Sequence, residues 1–269
     1  MRPTPFVALM LVSLLTPLTS GAQYEDHVQQ WLRSCEGKWN NDRARFCEVR
    51  SATIRPESKI TVDGRENGSV AFHGWDRNEV KVVAMIQTHA DDGGDAEALA
   101  RQIRINTRGG RISAEGPSPV RRKGWSVSYD VYVPTRSNLE AITRNGGVSA
   151  EAIEGDLDFE AMNGGISVVN VAGDVRGETT NGGVHASLSG RSWRGKGLNL
   201  RTMNGGVNLS IPRDYNASLE TGTTNGGMRI DFPITVQGLI GKRIRTQLGS
   251  GGPLVSVTTT NGGVKVSQR

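Results

Sequence analysis

The sequence contains few of the residues that build metal and redox centres. It has two cysteines and four histidines among 269 residues, and the histidines form no His-Glu-x-x-His motif. A zinc site therefore has no support. The Gly-x-Ser-x-Gly nucleophile elbow and a phosphate-binding glycine-rich loop ahead of a helix are also absent from the sequence. We therefore expect no catalytic, cofactor-binding or metal-binding residues in this chain.

The two cysteines, Cys35 and Cys47, lie close together and outside any Cys-x-x-Cys redox motif. In an oxidising compartment two such cysteines most often pair. This predicts a disulfide between Cys35 and Cys47, and two free thiols are the alternative. Closing so short a loop would stabilise the fold by about 3 kcal/mol, because it restricts the unfolded chain.

Long apolar runs are also missing, since no segment reaches the ~20 residues that a membrane-spanning helix needs. Residues 1–22 instead have the pattern of a signal peptide, with Arg2 at the start, an apolar stretch over residues 6–15 and small residues at 20–22. No cysteine follows closely enough for a lipoprotein anchor. We expect an exported chain that begins at Gln23, has no transmembrane segment after cleavage, and is periplasmic or secreted to the cell surface.

The charges give no sign of a nucleic-acid partner. Lysine and arginine outnumber aspartate and glutamate by 32 to 27, which gives a formal net charge of +5. The two signs are interspersed along the chain, and the cations form no stripe on a known nucleic-acid-binding motif. Most of this charge is expected on a solvated outer face.

What the sequence does have is a repeat. The tripeptide Asn-Gly-Gly occurs six times, beginning at Asn145, Asn163, Asn181, Asn204, Asn225 and Asn261. The first three copies are 18 residues apart, and the last interval of 36 residues is twice that period. Self-similarity at a fixed short period is typical of stacked repeats.

The residues around each Asn alternate between apolar and polar. In the copy at Asn163, Leu157 stands six residues before it, and Ile166 and Val168 stand three and five residues after it. All six copies are apolar at these three positions, and the position two before Asn is small, threonine in five copies. Period-2 alternation on both sides of a turn predicts half-buried strands.

A single such rung cannot bury its own apolar face, so we expect rungs to stack at ~4.8 Å with each strand parallel to its neighbour. The predicted fold is all-β, a parallel β-solenoid (a right-handed β-helix) with rungs of about 18 residues and Asn-Gly-Gly corners. Asn-Gly also favours antiparallel hairpins. A hairpin would not need the same apolar register on both flanks.

The six Asn residues are expected to be structural. Stacked Asn side chains can form a hydrogen-bonded ladder, as in cross-β stacks. The glycines are expected to turn the corner at positive φ, which glycine reaches without a Cβ penalty and Asn tolerates. Two weaker copies of the repeat are predicted upstream, at Gly109-Gly110 and at Asn67-Gly68.

Three segments follow from this pattern. Residues 1–22 form the signal peptide, residues 23–50 a cap made of a short helix over residues 24–34 and the disulfide, and residues 51–269 the solenoid. Terminal repeats of a solenoid need such a cap, because their outer face would otherwise be open.

One inserted loop combines cations with a tryptophan, namely Arg191, Trp193, Arg194 and Lys196. Such a loop can bind anionic glycans or lipid headgroups through charge and stacking. The alternative is an ordinary solvated loop whose tryptophan covers an edge of the solenoid.

Two acidic pairs recur one rung apart, Asp156 with Asp174 and Glu160 with Glu178. Stacked carboxylates can mark a calcium site or a catalytic pair. The alternative is that both pairs point into solvent, and the calcium-binding nonapeptide repeat is absent from the sequence.

The Asn-Gly-Gly-aliphatic turns, their spacing and the predicted export resemble the putative-adhesin family of bacterial β-repeat proteins, the DUF4097 type. Local features agree, among them Asn67-Gly-Ser-Val and His73-Gly-Trp-Asp. The resemblance covers about residues 50–269. It implies a β-helical, adhesin-like domain at the bacterial cell envelope and transfers no catalytic residues.

The leading hypothesis is a non-enzymatic scaffold for adhesion or interaction, whose partner is an envelope or extracellular glycan, lipid headgroup or protein. A second hypothesis is a carbohydrate-active β-helix enzyme, which requires carboxylates and a basic residue to converge within ~6 Å. A third is a periplasmic accessory protein of an envelope-stress system.

Overall fold

The computed structural model describes residues 28–35, 43–235 and 241–269. The chain divides into two units, Met1–Ser34 and Cys35–Arg269. In the first unit residues 28–34 form helix α1, so the described part of the segment predicted as a helix is helical. The predicted signal peptide, residues 1–22, lies outside the described residues.

The second unit consists mainly of two ten-stranded sheets. Sheet I contains, in spatial order, β1 (Ala44–Ile54), β4 (Val80–Ala90), β7 (Gly124–Pro134), β3 (Val70–Trp75), β9 (Val148–Glu151), β11 (Ile166–Val169), β13 (Val184–Ser187), β15 (Val207–Ile211), β20 (Val264–Gln268) and β17 (Met228–Ile230). Sheet II contains β18 (Arg243–Leu248), β16 (Ala217–Asn225), β19 (Leu254–Asn261), β14 (Gly197–Asn204), β12 (Ala172–Asn181), β10 (Glu154–Ala161), β8 (Leu139–Thr143), β2 (Ile60–Asp63), β6 (Arg111–Glu115) and β5 (Arg104–Asn106).

Each repeat is one rung, a strand of sheet II followed by the Asn-Gly-Gly corner and a strand of sheet I. Neighbouring rungs pair in parallel and in register, as in Leu157 opposite Val175 and Val168 opposite Ala186. The rungs are therefore solenoid-like, and the antiparallel alternative does not apply at these corners. Parallel pairing places chemically equivalent residues of successive rungs beside each other.

The core lies between the two sheets, and its side chains come from both. Phe72 of β3 and Phe159 of β10 stack with ring centroids 5.9 Å apart and are fully buried. Val168 is likewise fully buried. Because successive strand residues point to opposite faces, the other half of each strand faces outward.

Of the two weak upstream copies, one forms a rung and the other does not. Asn67 lies in the corner that joins β2 to β3, which has one more residue before the Asn than the full corners, since Ile60 opposes Leu139 and Val70 opposes Val148. The copy at Gly109-Gly110 is instead a hairpin turn, because β5 and β6 pair antiparallel within sheet II. Ile112 consequently lies opposite Val62 of sheet II and does not enter sheet I.

The interval between Asn225 and Asn261 is not a doubled period. After β17 the chain forms β18, which pairs antiparallel with the outer edge of β16. It then returns as β19, which lies between β14 and β16 and is parallel to both. The last rung therefore occupies a position inside the stack, and the spatial order of corners is Asn204, Asn261, Asn225.

The opposite end of sheet I is antiparallel, where β4 pairs with both β1 and β7. Helix α2 (Gly93–Gln102) packs here and buries Leu99. Arg50 of β1 donates to the carbonyls of Ala100 and Ile103 at 3.0 and 2.6 Å, which satisfies groups at the C-terminal end of the helix. Sequence reasoning did not predict α2, and the boundary predicted after residue 50 falls within β1.

Cys35 and Cys47 form the predicted disulfide, with Cα atoms 6.2 Å apart. Cys47 lies on β1, so the bond ties the start of the second unit to sheet I. In the part of the chain that the structure describes, no helix combines the length and apolar character needed to cross a membrane.

Candidate functional site

The outer face of sheet II, beside the Asn-Gly-Gly corners, forms a groove. Residues one, three and five before each corner Asn point outward, while those two, four and six before it point into the core. The groove has a volume of about 980 Å³ and extends across the strands from β2 to β18. With ~4.8 Å between strands, it suits an extended ligand better than a compact one.

The corners that follow the groove residues in the sequence are joined by a ladder of seven Asn side chains. Each Nδ2 donates to the Oδ1 of the neighbouring rung, and all bonds point the same way. The bonds run from Asn145 to Asn67 (3.1 Å), Asn163 to Asn145 (2.8 Å), Asn181 to Asn163 (2.9 Å), Asn204 to Asn181 (2.9 Å), Asn261 to Asn204 (2.8 Å) and Asn225 to Asn261 (2.8 Å). The six predicted Asn residues, joined by Asn67, thus hold the corners together.

The first glycine of each corner is required by close stacking of the backbone. A Cβ built on Gly164 would lie 2.2 Å from the carbonyl oxygen of Gly146, and one on Gly182 would lie 2.2 Å from that of Gly164. None of the corner glycines has a positive φ. The expectation of left-handed corners was therefore wrong, because the corner needs the absence of a side chain and not an unusual backbone angle.

The threonines two residues before the corners have a role that their small size did not reveal. Thr179 Oγ1 donates to the Gly164 carbonyl at 2.6 Å, and Thr202 Oγ1 donates to the Gly182 carbonyl at 2.7 Å. Both threonines are buried. In these two cases, and at Thr259, the hydroxyl satisfies a corner carbonyl of the neighbouring rung, whereas Thr143 donates to Gly146 of its own corner.

The floor of the groove contains four apolar side chains that are exposed to solvent. Ile142, Met162, Met203 and Leu254 line the groove and are 42%, 45%, 53% and 45% exposed. They occur among charged neighbours, since Glu160 lies in register between Ile142 and Glu178. Sequence reasoning missed these four residues. The sequence indicated them only through their place at outward-facing positions of a strongly alternating apolar and polar pattern.

The predicted acidic pairs are adjacent in space, as Asp156 opposes Asp174 and Glu160 opposes Glu178. The predicted basic loop lies against the first pair. Lys196 Nζ is 3.4 Å from Asp174 Oδ2, and Arg176 is 3.1 Å from the same oxygen. The first acidic pair and Lys196 therefore line one polar cleft of about 580 Å³, whereas Glu160 and Glu178 line the groove.

A second ion pair joins the same loop to sheet II, because Arg194 lies 3.4 Å from Glu154. Further along the face, Arg201 lies 3.2 Å from Glu178. Three of the carboxylates near the loop thus face cations. Within residues 28–35, 43–235 and 241–269 no group of three His, Cys, Asp or Glu side chains is placed to hold a metal ion.

Trp193 is part of the core and is only 4% exposed. Its indole Nε1 donates to the Gly173 carbonyl at 3.0 Å, one rung away. Its ring therefore cannot stack on a ligand, which corrects one element of the predicted binding loop. Arg191, Arg194 and Lys196 are exposed, so a ligand-binding role for this loop would depend on its cations.

On the same face, Glu140 is held by a close cation. Lys59 Nζ lies 2.7 Å from Glu140 Oε2, and Thr61 donates to the same oxygen at 3.1 Å. The hydrogen bond from Lys59 lowers the pKa of Glu140 below its ordinary value, and Thr61 acts in the same direction. This carboxylate stays ionised at neutral pH.

Sheet I carries a small aromatic cluster on its outer face. The rings of His73 and Tyr132 stack at 4.9 Å, Trp75 lies 5.5 Å from Tyr132, and the Arg77 guanidinium lies 5.0 Å above the Trp75 ring. The sequence motif at His73 pointed to this place without indicating a contact. The cluster is half-buried and stabilises the start of the stack.

Within the described residues, stacked parallel rungs, a column of Asn-Gly corners and one long grooved face define a β-solenoid-like repeat protein that presents an open surface. The chain belongs to the Toastrack DUF4097 family, whose model matches residues 59–267. No protein with a curated description matches the chain.

Three crystal structures are similar to this chain at low identity. A "putative cell adhesion protein" from Clostridium sporogenes is 10% identical, with a TM-score of 0.46, over 83% of this chain and all of that one. A "putative adhesin" from Bacteroides fragilis is 7% identical, with a TM-score of 0.36, over 83% and 97%. A "putative lipid binding protein" from Parabacteroides distasonis is 11% identical, with a TM-score of 0.30, over 86% and 98%.

Proposed function

We propose that the chain is an exported, non-enzymatic β-solenoid of right-handed coil that acts as an interaction or adhesion scaffold at a bacterial cell envelope. The observation that carries this proposal is the groove on the outer face of sheet II, which extends across neighbouring rungs. Its rims are polar and its floor exposes Met162 and Met203. Methionine is enriched at protein interfaces, so these exposed side chains are suited to contact with a partner.

The proposed partner is an envelope or extracellular macromolecule with both polar and apolar groups. Such a partner can cover the exposed methionines and at the same time meet the Asn ladder and the alternating charges. A glycan, a lipid headgroup or a protein segment each fits this description. A nucleic acid fits it less well, because Arg176, Arg194 and Arg201 already pair with carboxylates and leave no continuous basic stripe.

Export is part of the proposal and has one structural support, the Cys35–Cys47 disulfide. Disulfides persist in oxidising compartments and are rare in the reducing cytosol. A signal peptide over residues 1–22 would deliver the chain there, to the periplasm or the cell surface. Residues 23–50 would then begin the exported protein ahead of the solenoid.

The first experiment measures binding of the exported chain to arrays of envelope glycans, lipids and matrix proteins. A groove variant carries Met162→Ser and Met203→Ser, and a loop variant carries Arg191→Ala, Arg194→Ala and Lys196→Ala. Trp193 is left intact because its loss would open the core. The matched control carries Ser167→Ala and Asn208→Ala on the outer face of sheet I.

We expect the groove variant to lose binding while the control retains it. Loss in the loop variant alone would move the binding surface to the polar cleft. Equal binding by all variants, or no binding by the unmodified chain, would contradict the proposal and favour the accessory-protein hypothesis. Capture of an inner-membrane partner would support that hypothesis directly.

One observation favours a carbohydrate-active enzyme as the second candidate. Asp156 and Asp174 lie on adjacent strands, with Lys196 and Arg176 within hydrogen-bonding range of Asp174. Two carboxyl groups ~5 Å apart are the arrangement of retaining glycosidases. Cleavage of an array glycan that is abolished by Asp156→Asn and Asp174→Asn would establish this function, while binding without cleavage would exclude it for the glycans on the array.

A further inference from the structure

The rung formed by β19 and β20, residues 254–268, which we call the inserted rung, lies between two rungs that precede it in the sequence. In sheet II, β19 lies between β14 and β16, and in sheet I, β20 lies between β15 and β17. Consecutive strands are usually spatial neighbours. The inserted rung separates β14 from β16 in sheet II and β15 from β17 in sheet I, although each of these pairs is consecutive within its sheet.

The inserted rung is bonded along both edges. Val255 opposes Leu198 on one side and Leu219 on the other, in the same parallel register. Its core residues Val255 and Val257 are fully buried. Without this rung, β14 and β16 would face each other across a gap one strand wide, with unpaired backbone groups on both edges.

On the sheet II side the gap can exist before it is filled, because β16 is supported from outside, while β17 in sheet I pairs with β20 of the inserted rung. β18 pairs antiparallel with β16, from Ala217 opposite Leu248 to Gly222 opposite Arg243. This pairing joins segments that are closer in the sequence than β14 and β19, so its loop costs less entropy to close. The inserted rung then fills the gap, and it comes from the part of the chain that follows both rungs bordering the gap.

The segment that leads into the rung is built as a hinge. Residues 249–253 cross over the end of β16, and Gly249, Gly251 and Gly252 have φ of 55°, 80° and 147°. The main tie of this hinge is Asn216, whose Oδ1 accepts from the backbone N and the hydroxyl of Ser250 at 2.7 and 2.9 Å. Ser250 is exposed, so the hinge can extend with the loss of a few hydrogen bonds at the surface.

We propose that two copies of this chain exchange the inserted rung, so that residues 254–268 of one copy fill the gap between β14 and β16 of the other. The gap presents the same edges and the same apolar register to either copy. The exchanged state therefore keeps every strand pair and changes only the path of the hinge. Exchange of an identical element between copies is a route to dimers of low energetic cost.

Exchange would give a dimer that presents two grooves. A partner with repeated binding sites would then be held at both grooves, which raises the overall affinity without a new contact. This inference concerns assembly and is independent of which ligand the groove binds.

The test is a pair of cysteines that reports which copy supplies the rung. Asn199 of β14 and Ser256 of β19 are Cα partners on the outer face, at the separation that a disulfide can bridge. In the variant with Asn199→Cys and Ser256→Cys, a resident rung gives a bond within one chain, and an exchanged rung gives a bond between two chains. The control pair, Asp158→Cys and Arg176→Cys, joins β10 and β12, which are not exchanged.

Each variant is unfolded, refolded at low and at high protein concentration, oxidised, and separated on a non-reducing gel. We expect linked dimers of the Asn199 and Ser256 variant to increase with protein concentration, while the control pair stays monomeric. Bonds only within single chains at every concentration would overturn the proposal.

A second measurement needs no substitution and covers the case in which the cysteine variants fail to fold. Tagged and untagged copies of the chain are refolded together, and their mass is measured by light scattering after affinity capture. Mixed dimers that survive dilution support exchange. A monomer at all concentrations overturns it, and so does a dimer in which the cysteine pair links only within chains.

Discussion

Asn261 donates a hydrogen bond from its side-chain amide to Oδ1 of Asn204 at 2.8 Å, although 57 residues separate the two. Asn225, which is much closer to Asn204 in the sequence, lies one rung further along the ladder. The contact shows that the corners are interchangeable units. Their order in space is set by the connections between rungs and not by the corners themselves.

Replacing Gly164 by alanine is expected to destabilise the stack by about 1–3 kcal/mol, the usual cost of overpacking. The added Cβ would meet the Gly146 carbonyl oxygen at 2.2 Å, which is backbone and cannot move aside easily. Urea unfolding followed by circular dichroism measures the change. Gly227→Ala is the control, because a Cβ there meets nothing within 4 Å, and equal stability of the two variants would refute the stacking argument.

Thr202→Val should lower the free energy of unfolding by about 1 kcal/mol or slightly more. Valine has nearly the same shape, but it cannot donate to the Gly182 carbonyl, which would lose its 2.7 Å hydrogen bond in a buried position. Thr260→Val provides the comparison, since Thr260 is exposed on the outer face of the same sheet. If both variants unfold at the same denaturant concentration, the buried hydroxyl has no special role.

Trp193→Ala is predicted to cost about 3–5 kcal/mol, the range for deleting a large aromatic side chain from a core. The indole is 4% exposed, and its Nε1 bond to Gly173 is also lost. Arg191→Ala, in the same loop but exposed, should change stability by less than about 0.5 kcal/mol. Thermal melting of the two variants distinguishes a core role of the tryptophan from a surface role. A small effect of Trp193→Ala would instead support the prediction that Trp193 contacts a ligand.

Glu140 should make stability depend on pH in the acidic range. Its pKa is lowered in the folded protein, mainly by the hydrogen bond from Lys59. The stabilisation is therefore present above the carboxyl's ordinary pKa and is lost as the pH falls through the lower folded value. Glu140→Gln should be less stable than the unmodified chain at neutral pH, by under about 1 kcal/mol for a partly exposed pair.

At strongly acidic pH the difference between Glu140→Gln and the unmodified chain should disappear, and unfolding curves at several pH values measure it. Glu160→Gln is the control, because Glu160 lies between Ile142 and Glu178 and not beside a lysine. A constant difference across the pH range would contradict the assignment to Lys59.

The sequence predicted the elements that each rung repeats. The apolar positions around Asn163, the parallel register and the Asn ladder all follow from local alternation and the stacking of identical corners. The glycine requirement was predicted for the wrong physical reason. Close approach of Gly164 to Gly146 depends on the neighbouring rung, and the residues of a single rung do not reveal that distance.

The elements that the sequence did not predict are those whose position depends on contacts between different rungs or strands. The position of β19 depends on the pairing of β18 with β16, and the core residues of the competing rungs are too similar to select an order. The turn at Gly109-Gly110 contains two adjacent glycines, as a corner does, but the two strands that flank it pair with each other. The inserted loop that carries Trp193 folds back over the stack of rungs, so the side chain lies in the core. In the sequence, the neighbouring cations made Trp193 resemble a binding residue.

The shared direction of the Asn ladder gives the solenoid an electrical polarity. All its amides donate toward Asn67, so their dipoles add along the corner column as peptide dipoles add along an α-helix. The Asn67 end is then partially positive and the Asn225 end partially negative. Lys242 matches this polarity at the Asn225 end, where it donates to the carbonyl of Thr224 at 3.2 Å, whereas Glu66 beside Asn67 is paired with Arg144. The two ends of the column should therefore differ in the sign of the charged group that each attracts.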